Sequence, residues 1–164
     1  MKILIVAATP FEVQPLRDML EQSAVLDQQA FYQLGLLRIR FLITGVGMLA
    51  TSYHLTGALH ESDYELVINA GVAGSFKTDF PIGTVVNVVS ERIGDLGAEE
   101  ADGQFIDLLE MGLQKHEAPP FESGVLHNAV RQNFLPLAQG LSVNKVHGAA
   151  DSIARIRQKY DVDV

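Results

Sequence analysis

The segment Val67–Phe76 reads VINAGVAGSF: two apolar residues and an asparagine, followed by residues that carry almost no side chain. An apolar run that stops at such residues is typical of a buried strand that continues into a loop. Glycine and alanine in that loop allow a second group to approach the main chain closely. On spacing alone, Gly71 and Gly74 fit a tight turn with a close helix–strand contact as well as they fit a ligand contact.

On either side of this segment, strand patterns alternate with helix patterns. The runs KILIVAA (2–8), YELVINAG (64–71) and GTVVNVVSERI (83–93) are apolar and β-rich, as expected of strands covered on both faces. Helical spacing of apolar residues begins after Thr9 and again after Gly45, and a third helix is predicted at 149–160. A hairpin is predicted around Leu34–Leu36, and a further strand at 141–148. The sequence therefore predicts a single α/β domain over residues 1–164, with a mixed, largely parallel sheet.

Two stretches stand apart from this alternation. Residues 93–122 are acidic and predict a long surface excursion with a short helix at 108–116. The last residues, Val162–Val164, start a strand pattern too short to pair usefully, because strands average about five to six residues. This ending predicts a truncated form that lacks the C-terminal strand or strands and helix of a longer domain.

Composition excludes several classes of function. The 164 residues carry a net charge of −8, which argues against a nucleic-acid surface. No apolar run reaches the 18 residues of a membrane span, and no cysteine is present, which favours a cytoplasmic protein. The five histidines lie far apart in the sequence, without the spacing of a metal site. A small molecule is the expected partner, with no membrane or nucleic acid.

One motif favours a different class of enzyme. Gly45-Val46-Gly47-Met48-Leu49-Ala50 fits the loose dinucleotide fingerprint Gly-x-Gly-x-x-Gly/Ala. That fingerprint also needs a carboxylate at the end of the following strand, to hold the ribose hydroxyls. Here the strand ends in Asn69-Ala70-Gly71, so a nicotinamide or flavin enzyme is disfavoured.

Three strand ends supply the candidate site: Ala8–Glu12, Gly45–Gly47 and Asn69–Gly74. In open α/β sheets, ligands bind beyond the carboxyl ends of the strands. The expected pocket is lined by backbone, with Glu12 available as a base. Glu12 also completes a Thr-x-x-Glu capping box, and spacing alone does not decide between the two roles.

In three segments the chain resembles the nucleoside phosphorylase superfamily, in its methylthioadenosine/S-adenosylhomocysteine nucleosidase branch. The segments are MKILIVAATPFEVQPLRDML, ITGVGMLATS and VINAGVAGSF with the following IGTVVNVV. Within that branch, INAGVAGSF and VVNVVSERIGDLGAEEADGQF are most similar to the futalosine hydrolases, which act in menaquinone biosynthesis. The resemblance implies a three-layer α/β/α sandwich, a homodimer, and hydrolysis of a purine N-ribosidic bond without metal or cofactor.

The resemblance also implies roles for individual residues. Glu12 matches the carboxylate that activates the attacking water. The implied substrate contacts are Val46, Gly47, Val72, Ala73, Gly74, Val146 and His147. No phosphate-binding motif occurs in ATPFEVQPLR, so water rather than phosphate is the expected nucleophile.

Departures from the family pattern leave alternatives open. Val72 replaces a serine of the adenosine-type enzymes, which favours a divergent branch over a methylthioadenosine enzyme. The resemblance to the futalosine hydrolases implies cleavage of futalosine to hypoxanthine and dehypoxanthine futalosine. The family's Met-Glu pair and acid Asp follow the strand that begins at Val162 and are absent here, so the 164-residue chain is expected to be inactive alone. A methylthioadenosine/S-adenosylhomocysteine nucleosidase and a non-catalytic nucleoside-binding module remain the alternatives.

Overall fold

The computed structural model describes residues 1–117, 119–130, 132 and 134–164, which divide into two compact units, Met1–Val72 and Ala73–Val164. The first unit consists of β1 (Lys2–Ala7), α1 (Pro10–Ser23), β2 (Val25–Leu26), β3 (Tyr32–Leu34), β4 (Leu37–Ile43), α2 (Met48–Glu61) and β5 (Leu66–Asn69). The second consists of β6 (Asn87–Ile93), β7 (Gly97–Glu99), β8 (Phe105–Asp107), β9 (Leu126–His127), β10 (Leu137–Ser142) and α3 (Ala150–Lys159). Among these residues, no helix has the length and apolar character needed to cross a membrane.

The first unit is built on a mixed sheet with strand order β2-β3-β4-β1-β5. The central strand β1 runs parallel to both β4 and β5, whereas β3 pairs antiparallel with β4 and with β2. The β3–β4 hairpin turns at Gly35, whose φ of 58° is a left-handed conformation that glycine adopts without strain. The predicted mixed sheet and the predicted hairpin are both confirmed.

Strand β1 forms the core of this unit because both of its faces are covered. Side chains alternate between the two faces of a strand, and here each set meets a different helix. One set packs with Val13 and Leu20 of α1, and the other packs with Ala58 of α2. The first set is Ile3, Ile5 and Ala7, and the second is Leu4 and Val6. The first unit is thus a helix–sheet–helix sandwich, in agreement with the predicted fold class.

Helix α1 starts as its sequence predicts. Thr9 is the N-cap in an extended conformation, and Pro10 occupies the first helical position, where its missing N–H costs nothing. The Glu12 side chain turns back and accepts the Thr9 N–H at 2.7 Å. This bond satisfies one of the donors that every helix start leaves unpaired.

In the second unit, β6 pairs parallel with β10 and antiparallel with β9, and β7 and β8 form a separate hairpin. The strand predicted at 141–148 is wrong beyond Ser142, because β10 ends there. Gly140 in β10 lies against Glu91, and a Cβ at Gly140 would clash with a Glu91 carboxylate oxygen. The sequence of β10 is LAQGLS, and its polar and glycine residues interrupt the apolar pattern by which a strand is predicted.

The short helix predicted at 108–116 is also wrong, since this stretch forms turns. The Asp107 carboxylate accepts the N–H groups of Leu109 and Glu110, each at 3.0 Å, which stabilises a turn in place of a helix. Gly112 follows with a φ of 68°, outside the helical region.

The end of the chain is well packed. Val162 is buried, the Asp163 N–H donates to Gln139 O at 2.8 Å, and the Leu141 N–H donates to Val164 O at 2.9 Å. The expectation that these residues cannot pair is therefore wrong, because the end of β10 supplies partners for a very short segment.

Candidate active site

Three strands of the first unit end at the same edge of the sheet. The Thr44 N–H donates to Ala7 O at 3.0 Å, and the Ala70 N–H donates to Val6 O at 2.8 Å, so β4 and β5 finish beside the end of β1. The three loops that leave these strands therefore start side by side. This is the edge at which open α/β sheets bind ligands.

Glu12 connects the first turn of α1 to the loop after β5. Its Oε2 accepts the Thr9 N–H and, at 3.1 Å, the Thr9 hydroxyl, while its Oε1 accepts the Val72 N–H at 3.2 Å. One oxygen thus caps the helix, and the other reaches the loop that begins with Ala70. The capping role and a place at the strand ends are compatible, because a carboxylate has two oxygens and about four acceptor positions.

The carboxyl of Glu12 is ionised at neutral pH. Partial burial by itself raises the pKa of Glu12, but hydrogen bonds from the Thr9 and Val72 N–H groups, the Thr9 hydroxyl and the Ala8 N–H outweigh it and hold the pKa below its usual value. Glu12 therefore presents a stable negative charge, which suits stabilisation of a cation and acceptance of a proton from a strongly activated donor.

Gly71 has a specific reason to lack a side chain. A Cβ at this position would lie 3.0 Å from Glu12 Oε1 and 3.6 Å from Glu12 Cδ. Gly71, the first glycine of the AGVAGS segment, therefore leaves space for the Glu12 carboxylate. At this position the close approach involves a side chain of the protein itself.

We expect Gly71→Ala to reduce activity far more than stability. The added methyl forces the Glu12 carboxylate to shift by a few tenths of an ångström and weakens its bond to the Val72 N–H, which is already 3.2 Å long. We expect the rate to fall by about tenfold, less than the roughly hundredfold loss that a misplacement of about 1 Å causes. Steady-state kinetics and thermal unfolding of the protein measure the two effects. Gly57→Ala is the matched control, since a Cβ at Gly57 meets no atom of the described residues within 4 Å. Equal loss of activity in both variants would contradict the expectation.

The loop Gly45–Gly47 needs its glycines for backbone conformation. Gly45 and Gly47 have φ values of 81° and 102°, and Gly47 is the N-cap of α2. Val46 between them is 80% exposed. Sequence reasoning missed Thr44, whose buried hydroxyl lies 3.0 Å from Gly45 O and 3.2 Å from Thr51 Oγ1 and so joins the strand end to α2.

The remaining predicted contacts fall into two groups. In the first unit, Val72 is 87% exposed beside Glu12. In the second unit, Ala73 and Gly74 are exposed, Val146 is 88% exposed, and the half-buried His147 has an Nδ1 without a hydrogen-bond partner in the described part of the chain. The structure brings Glu12, Gly71 and Val72 together. The catalytic role of Glu12 and the ligand contacts of all these residues stay predictions.

The second unit contains a polar cavity of about 420 Å³ that sequence reasoning did not single out. Its lining includes Arg92, Glu110 and Lys159 but none of the predicted site residues. Lys159 is already paired with Glu110 and donates to Phe105 O at 2.9 Å. Among the described residues, no group of three or more His, Cys, Asp or Glu side chains could hold a metal ion.

Known proteins resemble this chain in sequence and in fold. Futalosine hydrolase of Streptomyces coelicolor is 40% identical over 55 residues, which is 34% of this chain and 23% of that relative's length. A futalosine hydrolase mutant of Helicobacter pylori strain 26695 superposes with a TM-score of 0.73 at 13% identity, over 99% of this chain and 78% of the other. The 5′-methylthioadenosine/S-adenosylhomocysteine nucleosidase of Neisseria meningitidis, in complex with methylthio-immucillin-A, gives 0.70 at 17% identity, over 99% and 74%.

These superpositions establish a shared α/β fold. A family model decides membership, since the model described as the phosphorylase superfamily matches residues 2–146. That range contains Glu12, the Gly45–Gly47 loop and the whole AGVAGS segment. The chain belongs to the phosphorylase superfamily.

Proposed function

We propose that this protein hydrolyses the N-ribosidic bond of a purine nucleoside, with futalosine as the most specific candidate. The observation that carries the proposal is the ionised Glu12 carboxylate, held at the carboxyl edge of the sheet by Thr9 and Val72. The 40% identity to a futalosine hydrolase over 55 residues supports the choice of substrate. The nucleosidase with a similar fold that was solved with methylthio-immucillin-A supports a site for small nucleosides.

The chemistry follows from the charge on Glu12. When the bond between the ribose C1′ and the base nitrogen breaks, the electron pair leaves with the base and positive charge develops on the sugar. A nearby carboxylate stabilises that charge. Water then adds to C1′ and gives one proton to Glu12, while the departing purine anion takes up a proton from solvent, so that the products are the free base and a ribose with a hydroxyl at C1′. A carboxylate with a lowered pKa is a weak base, but it suffices because attack on an oxocarbenium-like centre strongly acidifies the water.

The hydrogen bonds of Glu12 leave room for that water. A carboxylate has about four acceptor positions, and hydrogen bonds of ordinary geometry from Thr9 and Val72 occupy three of them. The Ala8 N–H, which contributes least to the lowered pKa, makes no bond of that geometry to Glu12. The remaining position is available to a water molecule on the open side of the carboxylate. Glu12 is thus oriented from both sides, so little reorganisation is needed when the substrate arrives.

Water is the proposed nucleophile because the turn between β1 and α1 offers no side chain that would bind phosphate. The arginine of ATPFEVQPLR is Arg17, and its guanidinium carbon lies over the Phe41 ring, 5.9 Å from the ring centre. The proposed substrate contacts are Val46, Gly47, Val72, Ala73, Gly74, Val146 and His147. We propose no metal or cofactor for this reaction.

Product analysis tests the proposal. The protein is incubated separately with futalosine, methylthioadenosine and inosine, with and without phosphate, and the free base is measured. Release of hypoxanthine from futalosine alone, independent of phosphate, is the expected result. Release of adenine from methylthioadenosine would replace the substrate, and tight binding without release of base would indicate the non-catalytic module.

We also propose that the protein forms a homodimer. The start of α2 exposes three apolar side chains on one side: Val46 at 80%, Leu49 at 86% and Tyr53 at 76%. Apolar side chains grouped in this way mark interaction surfaces. Sedimentation of the protein with and without Leu49→Glu measures the association, and an unchanged mass would contradict this surface. The predictions of one domain over residues 1–164 and of a cytoplasmic location stay predictions.

A further inference from the structure

Asp163 is a buried acidic residue with no role in the chemistry above. It is 5% exposed, and its Oδ2 accepts the Gln139 N–H of β10 at 2.7 Å. Its other oxygen pairs with the ammonium of Lys77. A buried carboxylate needs such partners, because a charge without them is strongly disfavoured away from water.

The same residue holds the turn that follows Gly74. The main-chain oxygen of Asp163 accepts the Phe76 N–H at 2.8 Å and lies 3.2 Å from the Ser75 hydroxyl. Within the turn, that hydroxyl donates to Lys77 O at 2.7 Å and accepts the Lys77 N–H at 3.0 Å. Asp163 therefore binds three consecutive residues, Ser75 to Lys77, through its main chain and its side chain.

Apolar packing adds to this attachment. Phe76 packs against a buried cluster of Ile156, Tyr160 and Val162, which joins α3 to the chain end. The turn at Ser75–Lys77 is thus fixed to α3 and the chain end, within the second unit, by hydrogen bonds, an ion pair and a buried ring. In contrast, residues 71–75 are all exposed.

The charges of the pair reinforce each other. Burial alone raises the pKa of Asp163, but Lys77 and the Gln139 N–H outweigh it and lower the pKa. The hydrogen bond to Asp163 raises the pKa of Lys77, with smaller contributions from the charges of Asp161 and Asp79. Both members of the pair are therefore charged throughout the neutral pH range.

We propose that Asp163 and Lys77 are positioning residues for nucleoside binding: their ion pair holds the Ser75–Lys77 turn in place and so sets the position of Ala73 and Gly74. A Cβ built at Gly74 meets no atom of the described residues within 4 Å, so the attachment of the adjoining turn is what restrains this residue. The ligand contact of Gly74 rests on the proposed function, whereas the attachment itself does not.

Binding measurements test the positioning role. In a Glu12→Gln background, where turnover is slow, the Kd of futalosine is measured for Lys77→Met, Asp163→Asn and the double variant. The amide oxygen of Asn at 163 still accepts the Gln139 N–H, but its NH2 group then faces Lys77, so this change removes both the charge and the acceptor of the ion pair. We expect each single variant to weaken binding about fivefold to tenfold, and the double variant to weaken it no further, because both changes break one pair.

Two controls separate positioning from a general loss of charge or of fold. Lys77→Arg keeps the ion pair and should retain most of the affinity, and Lys115→Met removes an exposed lysine of the same unit and should leave it unchanged. Unchanged affinity in Lys77→Met, or additive losses in the double variant, would overturn the proposal.

Amide hydrogen exchange distinguishes failure of this proposal from failure of the proposed function. If the unmodified protein binds no nucleoside, the proposed function is wrong. The exchange rate of the Phe76 amide then still tests whether the Lys77–Asp163 pair holds the Ser75–Lys77 turn in place. A rise of about fivefold in Lys77→Met, with none in Lys115→Met, supports it. Equal exchange in the two variants overturns it.

Discussion

Replacing Glu12 with Gln is expected to lower kcat/KM for nucleoside hydrolysis by about a thousandfold or more. The change removes the negative charge that faces the developing cation, and it removes the proton acceptor for the attacking water. Loss of a general base typically costs about a hundredfold to ten-thousandfold, and loss of electrostatic stabilisation a similar amount. Initial rates of base release from futalosine, measured at neutral pH for both proteins, give the effect.

A matched control distinguishes this effect from damage to α1. Glu21→Gln makes the same change near the other end of the helix, where the Glu21 side chain only accepts the Tyr32 hydroxyl at 3.3 Å. Glu12→Gln should also cost about 1 kcal/mol of stability, since the helix start loses part of its cap. If Glu12→Gln retains near-normal turnover while its stability falls, Glu12 is a capping residue and the hydrolytic role is wrong.

Local rules explain why the first unit could be predicted from sequence. The start of α1 depends on Thr9, Pro10 and Glu12, which lie within four residues of one another. The β3–β4 hairpin depends on one glycine between two apolar runs. Both strand-end glycine loops were predicted for the same reason, since they directly follow apolar strands.

The second unit was harder to predict because its strands pair with residues that lie far away in the sequence. The strand β10 follows β6 by more than forty residues, and its register requires a missing side chain at Gly140, opposite Glu91. The chain end pairs with Gln139 and Leu141, so its structure comes from the partner strand and not from its own length. A prediction based on local propensity detects neither the close contact between Gly140 and Glu91 nor the pairing of the chain end with β10.

Three glycines of the candidate site differ in whether the structure requires them to lack a side chain. Gly47 requires a left-handed backbone, with a φ of 102°. Gly71 makes room for the Glu12 carboxylate. Gly74 has neither reason, since its φ lies outside the left-handed region and a Cβ there meets no described atom within 4 Å. Among these three glycines, Gly74 is therefore the one whose small size the described structure does not require, and its place in the loop after β5 makes it the candidate for contact with a ligand.

Gly74→Val is therefore expected to abolish nucleoside binding while the protein stays folded. The valine side chain would occupy the volume that the proposal gives to the nucleoside, so we expect the affinity to fall by at least about a hundredfold, as for steric exclusion from a filled site. Stability should change little and could rise by a few tenths of a kcal/mol, since replacing glycine reduces the entropy of the unfolded chain. Calorimetric titration with futalosine in the Glu12→Gln background and thermal unfolding measure the two quantities.

The outcome separates a ligand contact from a purely structural glycine. Gly57→Val in α2 is the control, because in the described part of the chain a Cβ there also meets no atom within 4 Å and the residue is not a predicted contact. Normal affinity in Gly74→Val would remove the reason for placing the nucleoside at this loop. A protein that unfolds on this substitution would show instead that the loop needs glycine for its own conformation, which the open space around Gly74 argues against. Lost affinity with retained stability, in this variant alone, is the combination that only a ligand at Gly74 produces.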